Sequence, residues 1–384
     1  MRTMIQLSSK LPAIGTSIFS VMTKAANDHG AINLSQGFPD FDCDPALVEA
    51  VARAMREGHN QYPPMPGVPA LREAIAAKVQ HCYGATVDPV TEVQVTSGAT
   101  EGLYATLTAF VRPGDEVVLF EPCYDSYVPA ILLSGGTPVF VSLRYPDYQV
   151  DWDEVRRAIT PKTRAILVNT PHNPTGMTWS ADDMRRLAAL VDGTDILLIG
   201  DEVYEHIIFD GRRHESLLRY PELRERAVVI SSFGKTFHTT GWKVGYCVAP
   251  APLLAEVQRV HQFVTFTVHA PSQIAFAEFV ARDPGAKDLP AFYQAKRDRF
   301  LQLMEGSRFT PLACNGTYFQ LMDYSAITAD KDADVAMWLI KAHGVAAIPC
   351  SAFNYQDGGG PVLRFCFAKR DETLEAAAGR LRNV

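Results

Sequence analysis

From residue 92 to residue 249 one pattern repeats: a short apolar or alternating run, then a turn built from small residues or proline, with amphipathic stretches filling several of the intervals. The runs at 92–96, 117–120, 138–142, 165–169, 196–200, 228–232 and 244–249 read as strands, and 101–110, 153–159 and 181–191 carry helical spacing between some of them. Strands apolar on both faces need helices above and below. The alternation therefore predicts an α/β domain on a largely parallel sheet flanked by helices, with its ligand site at the carboxyl ends of the strands. At 384 residues the chain exceeds what one core serves, so a second domain is expected. Further helical patterns lie at 253–266, 271–282, 289–304 and 332–343, with strand-like runs at 316–321 and 362–368 and a last helix from Asp371. They lack the strand-helix-strand rhythm, which predicts a smaller α+β domain. The expected division is a large domain over 40–280, with 1–39 and 281–384 forming the small one.

Charge narrows the partner. With 36 Lys and Arg against 43 Asp and Glu the net charge is -7, which argues against a nucleic-acid groove or a polybasic membrane surface. Seven cysteines without a C-x-x-C pair suggest reduced thiols. The first fifteen residues include Arg2 but no apolar core of a signal peptide, and no stretch has the length of a membrane span. The expectation is a cytoplasmic enzyme or binding protein with a small-molecule partner.

Chemistry concentrates in residues 231–245. Gly234 lets the strand ending at Ser232 turn sharply, so Lys235 is held at a strand end, where apolar walls can lower an amine's pKa and make it a nucleophile toward a carbonyl. A solvated surface lysine is the alternative. Gly98, Ala99 and Thr100, between a strand and a helix start, form either an ordinary tight turn or a cradle whose N–H groups face an anion. Neither G-x-x-x-x-G-K-[ST] nor G-x-G-x-x-G occurs there, which argues against a nucleotide triphosphate or a dinucleotide. Asp201 closes an apolar strand and needs a positive or donating partner. A metal is not expected, since only His172 falls in the nearby strand-end motifs. The two X-Pro steps of residues 169–176 fix a backbone that aims Asn173 inward. Tyr124 offers a flat ring, for a ligand or for the core. Arg364 lies within an apolar strand, where a guanidinium meets either an internal acid or a ligand carboxylate. A reactive amine, an anion cradle, a buried acid, a ring and an arginine together match pyridoxal 5'-phosphate and an amino acid substrate.

The motifs at 33–41, 170–176, 201–206 and 231–245 carry the resemblance that follows. Through them the chain resembles the class I/II, fold-type I, pyridoxal-phosphate-dependent aminotransferases over nearly its whole length, most closely the branch of bacterial methionine aminotransferases and kynurenine/glutamine aminotransferases. The resemblance implies Lys235 as the internal aldimine and proton carrier, and Asp201 at the pyridine nitrogen. It implies Asn173 and Tyr204 at the 3'-oxygen, Tyr124 on the ring, and Gly98, Ala99, Thr100, Ser232 and Lys243 at the phosphate. Family dimers share their sites, so Tyr62 would reach the phosphate of the partner subunit. Arg364, Asn173 and the Gly37 backbone would bind the substrate carboxylate, with Phe19 in the side-chain pocket. Two positions depart from wider patterns: Lys243 stands where many members have arginine, and Phe19 where the mammalian kynurenine enzymes have tryptophan. The implied activity is ping-pong transfer of the amino group of methionine, or another large neutral or aromatic L-amino acid, to a 2-oxo acid. A cysteine-S-conjugate β-lyase on the same scaffold is the alternative.

Overall fold

The computed structural model describes residues 7–356 and 359–384. Arg2 and residues 357–358 lie outside the described residues. The first strand, β1 (Ile32–Asn33), is short and stands apart from the main sheet. Seven strands then form that sheet: β2 (Val93–Thr96), β3 (Glu116–Glu121), β4 (Thr137–Ser142), β5 (Thr163–Asn169), β6 (Leu197–Asp201), β7 (Ala227–Ser232) and β8 (Gly245–Val248). Their spatial order is β2-β8-β7-β6-β5-β3-β4. Every pair from β7 to β4 is parallel, while β8 runs antiparallel to both β2 and β7.

The strand period of two divides the interior between the two faces of the sheet. Val117, Leu119, Leu167, Ile199, Val228 and Ile230 pack with the helices Gly98–Phe110 and Ala251–Val264. Val118, Phe120, Val168, Leu198 and Val229 pack on the other side with Pro69–Tyr83, Ala181–Val191 and Ala270–Arg282. Local signals set several helix starts. Ser180 and Asp183 form a reciprocal cap at the start of Ala181–Val191, and Asp44 caps Pro45–Arg56.

The remaining strands are β9 (Thr310–Pro311), β10 (Phe319–Asp323), β11 (Val345–Ala346), β12 (Ile348–Pro349) and β13 (Val362–Cys366). Four of them make an antiparallel sheet of order β12-β13-β10-β9, and β11 pairs in parallel with β1. Met22 and Ala26 of the helix Ile18–Asp28, with Leu34, join the apolar core of this C-terminal part. In β13, Arg364 stands opposite Leu321 and Ile348.

Three local expectations are corrected. The small residues after β2 are not a free turn, because the helix already begins at Gly98. Lys235 lies on a single helical turn, Phe233–Thr236, capped by Ser232, and not in open loop. The run 316–321 becomes a strand only from Phe319, after a turn in which Thr317 takes a positive φ of 65°. Among the described residues no helix is long and apolar enough to cross a membrane, and no group of three or more His, Cys, Asp and Glu is placed to hold a metal ion.

Candidate active site

At the carboxyl ends of β5, β6 and β7 a cleft of about 210 Å³ opens between the main sheet and the C-terminal part. Lys235, Asp201, Tyr204, Gly98, Ala99, Thr100, Tyr124, Asn173, Ser232, Lys243, Phe19, Gly37 and Arg364 all line it. Tyr62 does not. It is 83% exposed, with its ring edge-on to Phe266 at 5.4 Å.

Asp201 is the last residue of β6 and is buried. Its Oδ2 accepts from the Tyr127 hydroxyl at 2.6 Å, and its Oδ1 accepts from the Val203 N–H at 3.3 Å. Burial pushes its pKa up to about 6, against the pull of those two bonds and of Lys235. The group is an acid short of positive charge, which a protonated ring nitrogen would supply.

In the cofactor-free protein this has a measurable sign. A raised carboxyl pKa adds stability that is complete below the ordinary aspartate range and is lost as pH rises through about 6. The loss amounts to about 3 kcal/mol. Denaturant midpoints of wild type and Asp201→Asn, both free of cofactor, should therefore diverge between about pH 4 and pH 7, with wild type losing the more. Parallel curves would contradict the assignment.

Lys235 is half-buried, and it also lines the cleft. Desolvation lowers its pKa to about 8, Arg364 and Lys243 pushing further down while Asp201 opposes them. Its Nζ donates to the Tyr318 hydroxyl at 2.8 Å and to the Gly37 carbonyl at 3.3 Å, and lies 5.5 Å from the centre of the Tyr204 ring.

The residues expected to face an anion stand on three sides of the cleft. The N-terminus of Gly98–Phe110 leaves N–H groups without partners inside the helix. Ser232 forms the second side. The third is Lys243, whose positive φ of 55° costs about 1–2 kcal/mol for a residue with a side chain. Lys243 Nζ lies 3.4 Å from where a Cβ on Gly98 would stand. A Cβ on Gly245 would sit 2.9 Å from the Ala99 nitrogen, so only glycine lets β8 pass this close to the helix start.

Opposite the cradle, Arg364 is fully buried. One nitrogen donates to Asn173 Oδ1 at 2.7 Å and another to the Ser35 carbonyl at 3.2 Å, while Nε has no partner. Its Cζ lies 3.8 Å from the Phe319 ring centre, with the ring centres of Phe353 and Phe19 at 5.1 and 5.3 Å. Among the described residues no carboxylate bonds it. A buried cation in an aromatic box with neutral acceptors and a free donor is built to receive an anion. Asn173 is in turn aimed by Asn169, whose Oδ1 accepts from the Asn173 N–H at 2.9 Å.

Two residues at the site were not singled out from the sequence. Tyr127 sits three residues after Tyr124 at the start of an apolar helix and reads as core; Tyr318 precedes a strand and reads as packing. The signal for Tyr127 was a second hydroxyl one helical turn from a ring already assigned to the site.

Residues 29–381 match the family model for aminotransferase class I and II. The chain is 51% identical over 377 residues to the methionine aminotransferase of Escherichia coli strain K12, covering 98% of each protein. It is 40% identical to a probable N-succinyldiaminopimelate aminotransferase of Mycobacterium tuberculosis, covering 97% of each. Among solved structures, the Escherichia coli protein YbdL, reported as having a methionine aminotransferase function, superposes with a TM-score of 0.97 at 50% identity, over 99% of this chain and 100% of that one. The chain belongs to the class I and II aminotransferases.

Proposed function

We propose that this aminotransferase takes its amino group from methionine or another large neutral or aromatic L-amino acid, and that it works in the cytoplasm as a homodimer in which Tyr62 completes the site of the partner subunit. The observation that carries the donor reading is the buried Arg364 inside its aromatic box, bonded to neutral acceptors and with its Nε donor unsatisfied among the described residues. It offers one carboxylate-binding cation, with Phe19, Phe319 and Phe353 around it for an apolar side chain. Aromatic faces favour thioether sulfur and other rings. Among the described residues the other cations lining the cleft are Lys235 at the reacting position and Lys243 at the cradle, leaving none of these for a second, distal carboxylate. Dimerisation is supported by the exposure of three aromatic side chains: Tyr62, Phe266 against its ring, and Phe263, itself 87% exposed, near the end of the helix that Phe266 follows.

Aminotransferases of this class use pyridoxal 5'-phosphate, which supplies an aldehyde to carry the amino group and a cationic ring to draw electrons from the substrate Cα. The residues present fit it. Lys235 would hold the aldehyde carbon, Asp201 the ring nitrogen, Asn173 and Tyr204 the 3'-oxygen, and Tyr124 the ring face. Ala99, Thr100, Ser232 and Lys243 would hold the phosphate. With a pKa near 8, Lys235 is partly neutral at neutral pH and can take the Cα proton and return it. Arg364 and Asn173 fix the α-carboxylate, so that the Cα–H bond is presented to the amine.

The test is a half-reaction panel: the loaded protein mixed with single L-amino acids, following loss of the cofactor's visible absorbance. Methionine and the aromatics should react fastest. Faster reaction with an N-succinylated diamino acid would overturn the donor assignment, and pyruvate with ammonia as the main products would establish the β-lyase instead. Arg364→Lys keeps the charge but loses the planar fork, so KM for the amino donor should rise about 10- to 100-fold while cofactor absorbance is unchanged.

A further inference from the structure

We propose that Tyr318 is a further catalytic residue, whose hydroxyl acts with the Gly37 carbonyl to dock the free Lys235 amine and aim its lone pair into the cleft. This rests on the reading of Lys235 as the group that moves the Cα proton.

Two acceptors stand within hydrogen-bonding distance of Nζ: the Tyr318 hydroxyl at 2.8 Å and the Gly37 carbonyl at 3.3 Å. The Tyr318 hydroxyl donates its own hydrogen to the same Gly37 carbonyl, leaving its oxygen lone pairs for the amine. A neutral amine has two hydrogens and one lone pair. With both hydrogens on these acceptors, the lone pair is left for the half-exposed side that faces the cleft. That is the orientation a base needs to receive a proton from the substrate Cα.

The proton leaves Cα for the nitrogen lone pair, and the electron pair of the C–H bond stays with the substrate. The resulting ammonium keeps two hydrogens on Tyr318 and Gly37 and points the third back at the substrate, so the proton returns without the side chain turning.

The scaffold holds this geometry. Tyr318 is fully buried, and its ring meets those of Tyr204, Tyr293 and Phe319 at 5.1, 5.7 and 4.9 Å. The positive φ of Thr317 sets the turn that delivers it. Gly37 has no room for a side chain, since a Cβ there would lie 2.7 Å from the Phe319 ring, and this close approach is what brings its carbonyl to the amine.

The test is Tyr318→Phe, which removes one oxygen. In cofactor-free protein, without any amino acid, the rate of covalent uptake of pyridoxal 5'-phosphate is followed against pH. Only the neutral amine attacks the aldehyde, so the rate rises and levels with a midpoint at the pKa of Lys235. The ammonium loses an acceptor in the variant, so the midpoint should fall by about one pH unit. The other ionisable groups facing the amine, Cys366, Arg364, Lys243, Asp201 and Tyr204, are the same in both proteins.

In the loaded protein the half-reaction equilibrium should move about tenfold toward the aldehyde form of the cofactor, since the opposite form needs a docked free amine. The isotope effect with Cα-deuterated donor should rise. An unmoved midpoint together with an unmoved equilibrium would overturn the proposal. Tyr318→Met, also without a hydroxyl, replaces the phenylalanine variant if that does not fold. A wrong donor assignment leaves the uptake midpoint untouched, whereas a wild type that takes up no cofactor overturns the reading of the site and this proposal with it.

Discussion

Lys235→Ala should reduce transamination by about 10²- to 10⁴-fold while the protein still binds the cofactor without a covalent link. The half-buried amine lines the cleft and is the base in the proposed mechanism; its lowered pKa gives it a working neutral fraction near neutral pH. The residues proposed to hold the phosphate, Gly98, Ala99, Thr100, Ser232 and Lys243, are untouched by the substitution. Solvent exchange of the donor's Cα proton, read by NMR, should fall in parallel with the rate, because both need the same proton transfer. A variant that kept its exchange while losing transamination would move the base elsewhere.

The second large effect lies behind the site. Lys78 and Glu205 are both buried, with Nζ 2.5 Å from Oε2. Ser231 and Tyr246 donate to Oε1 at 2.5 and 2.8 Å, Tyr83 donates to Oε2, and Lys78 also donates to the Tyr246 hydroxyl at 2.5 Å. Burial pushes the Glu205 carboxyl up, but Lys78, His206 and the Ser231 hydroxyl together hold it well below the ordinary carboxylate range. The network ties the helix Pro69–Tyr83 to the segment carrying Asp201 and Tyr204, and to the strand that leads to Lys235. Lys78→Met leaves a buried carboxylate without its cation and should cost about 3–5 kcal/mol in denaturant unfolding. Adding Glu205→Gln removes the orphaned charge and should recover much of that loss, so the pair is strongly non-additive. Simple additivity would mean that the two groups do not stabilise each other.

These side chains also show what the sequence reveals and why the rest is hidden. Lys235, Asp201 and Asn173 were legible because each follows an apolar run, and in a parallel sheet those ends converge at one edge. Arg364 was legible as a charge inside an apolar strand. The direction of β8 was not, since its buried residues Gly245–Val248 look the same whichever way the strand runs. The strained backbone of Lys243 leaves no mark in residue type. Lys78 stands beside the apolar stripe of its helix and reads as solvated; its burial depends on Glu205, 127 residues away. Tyr127 and Tyr318 have rings that suit a core, and what sets them apart is where the hydroxyl falls, which depends on contacts between distant segments.

Borohydride reduction of the protein loaded with pyridoxal 5'-phosphate, then digestion and mass spectrometry, tests the central claim most directly. One phosphopyridoxyl group per chain is expected, on the peptide containing Lys235. Attachment at another lysine, or none with the cofactor in excess, would contradict it.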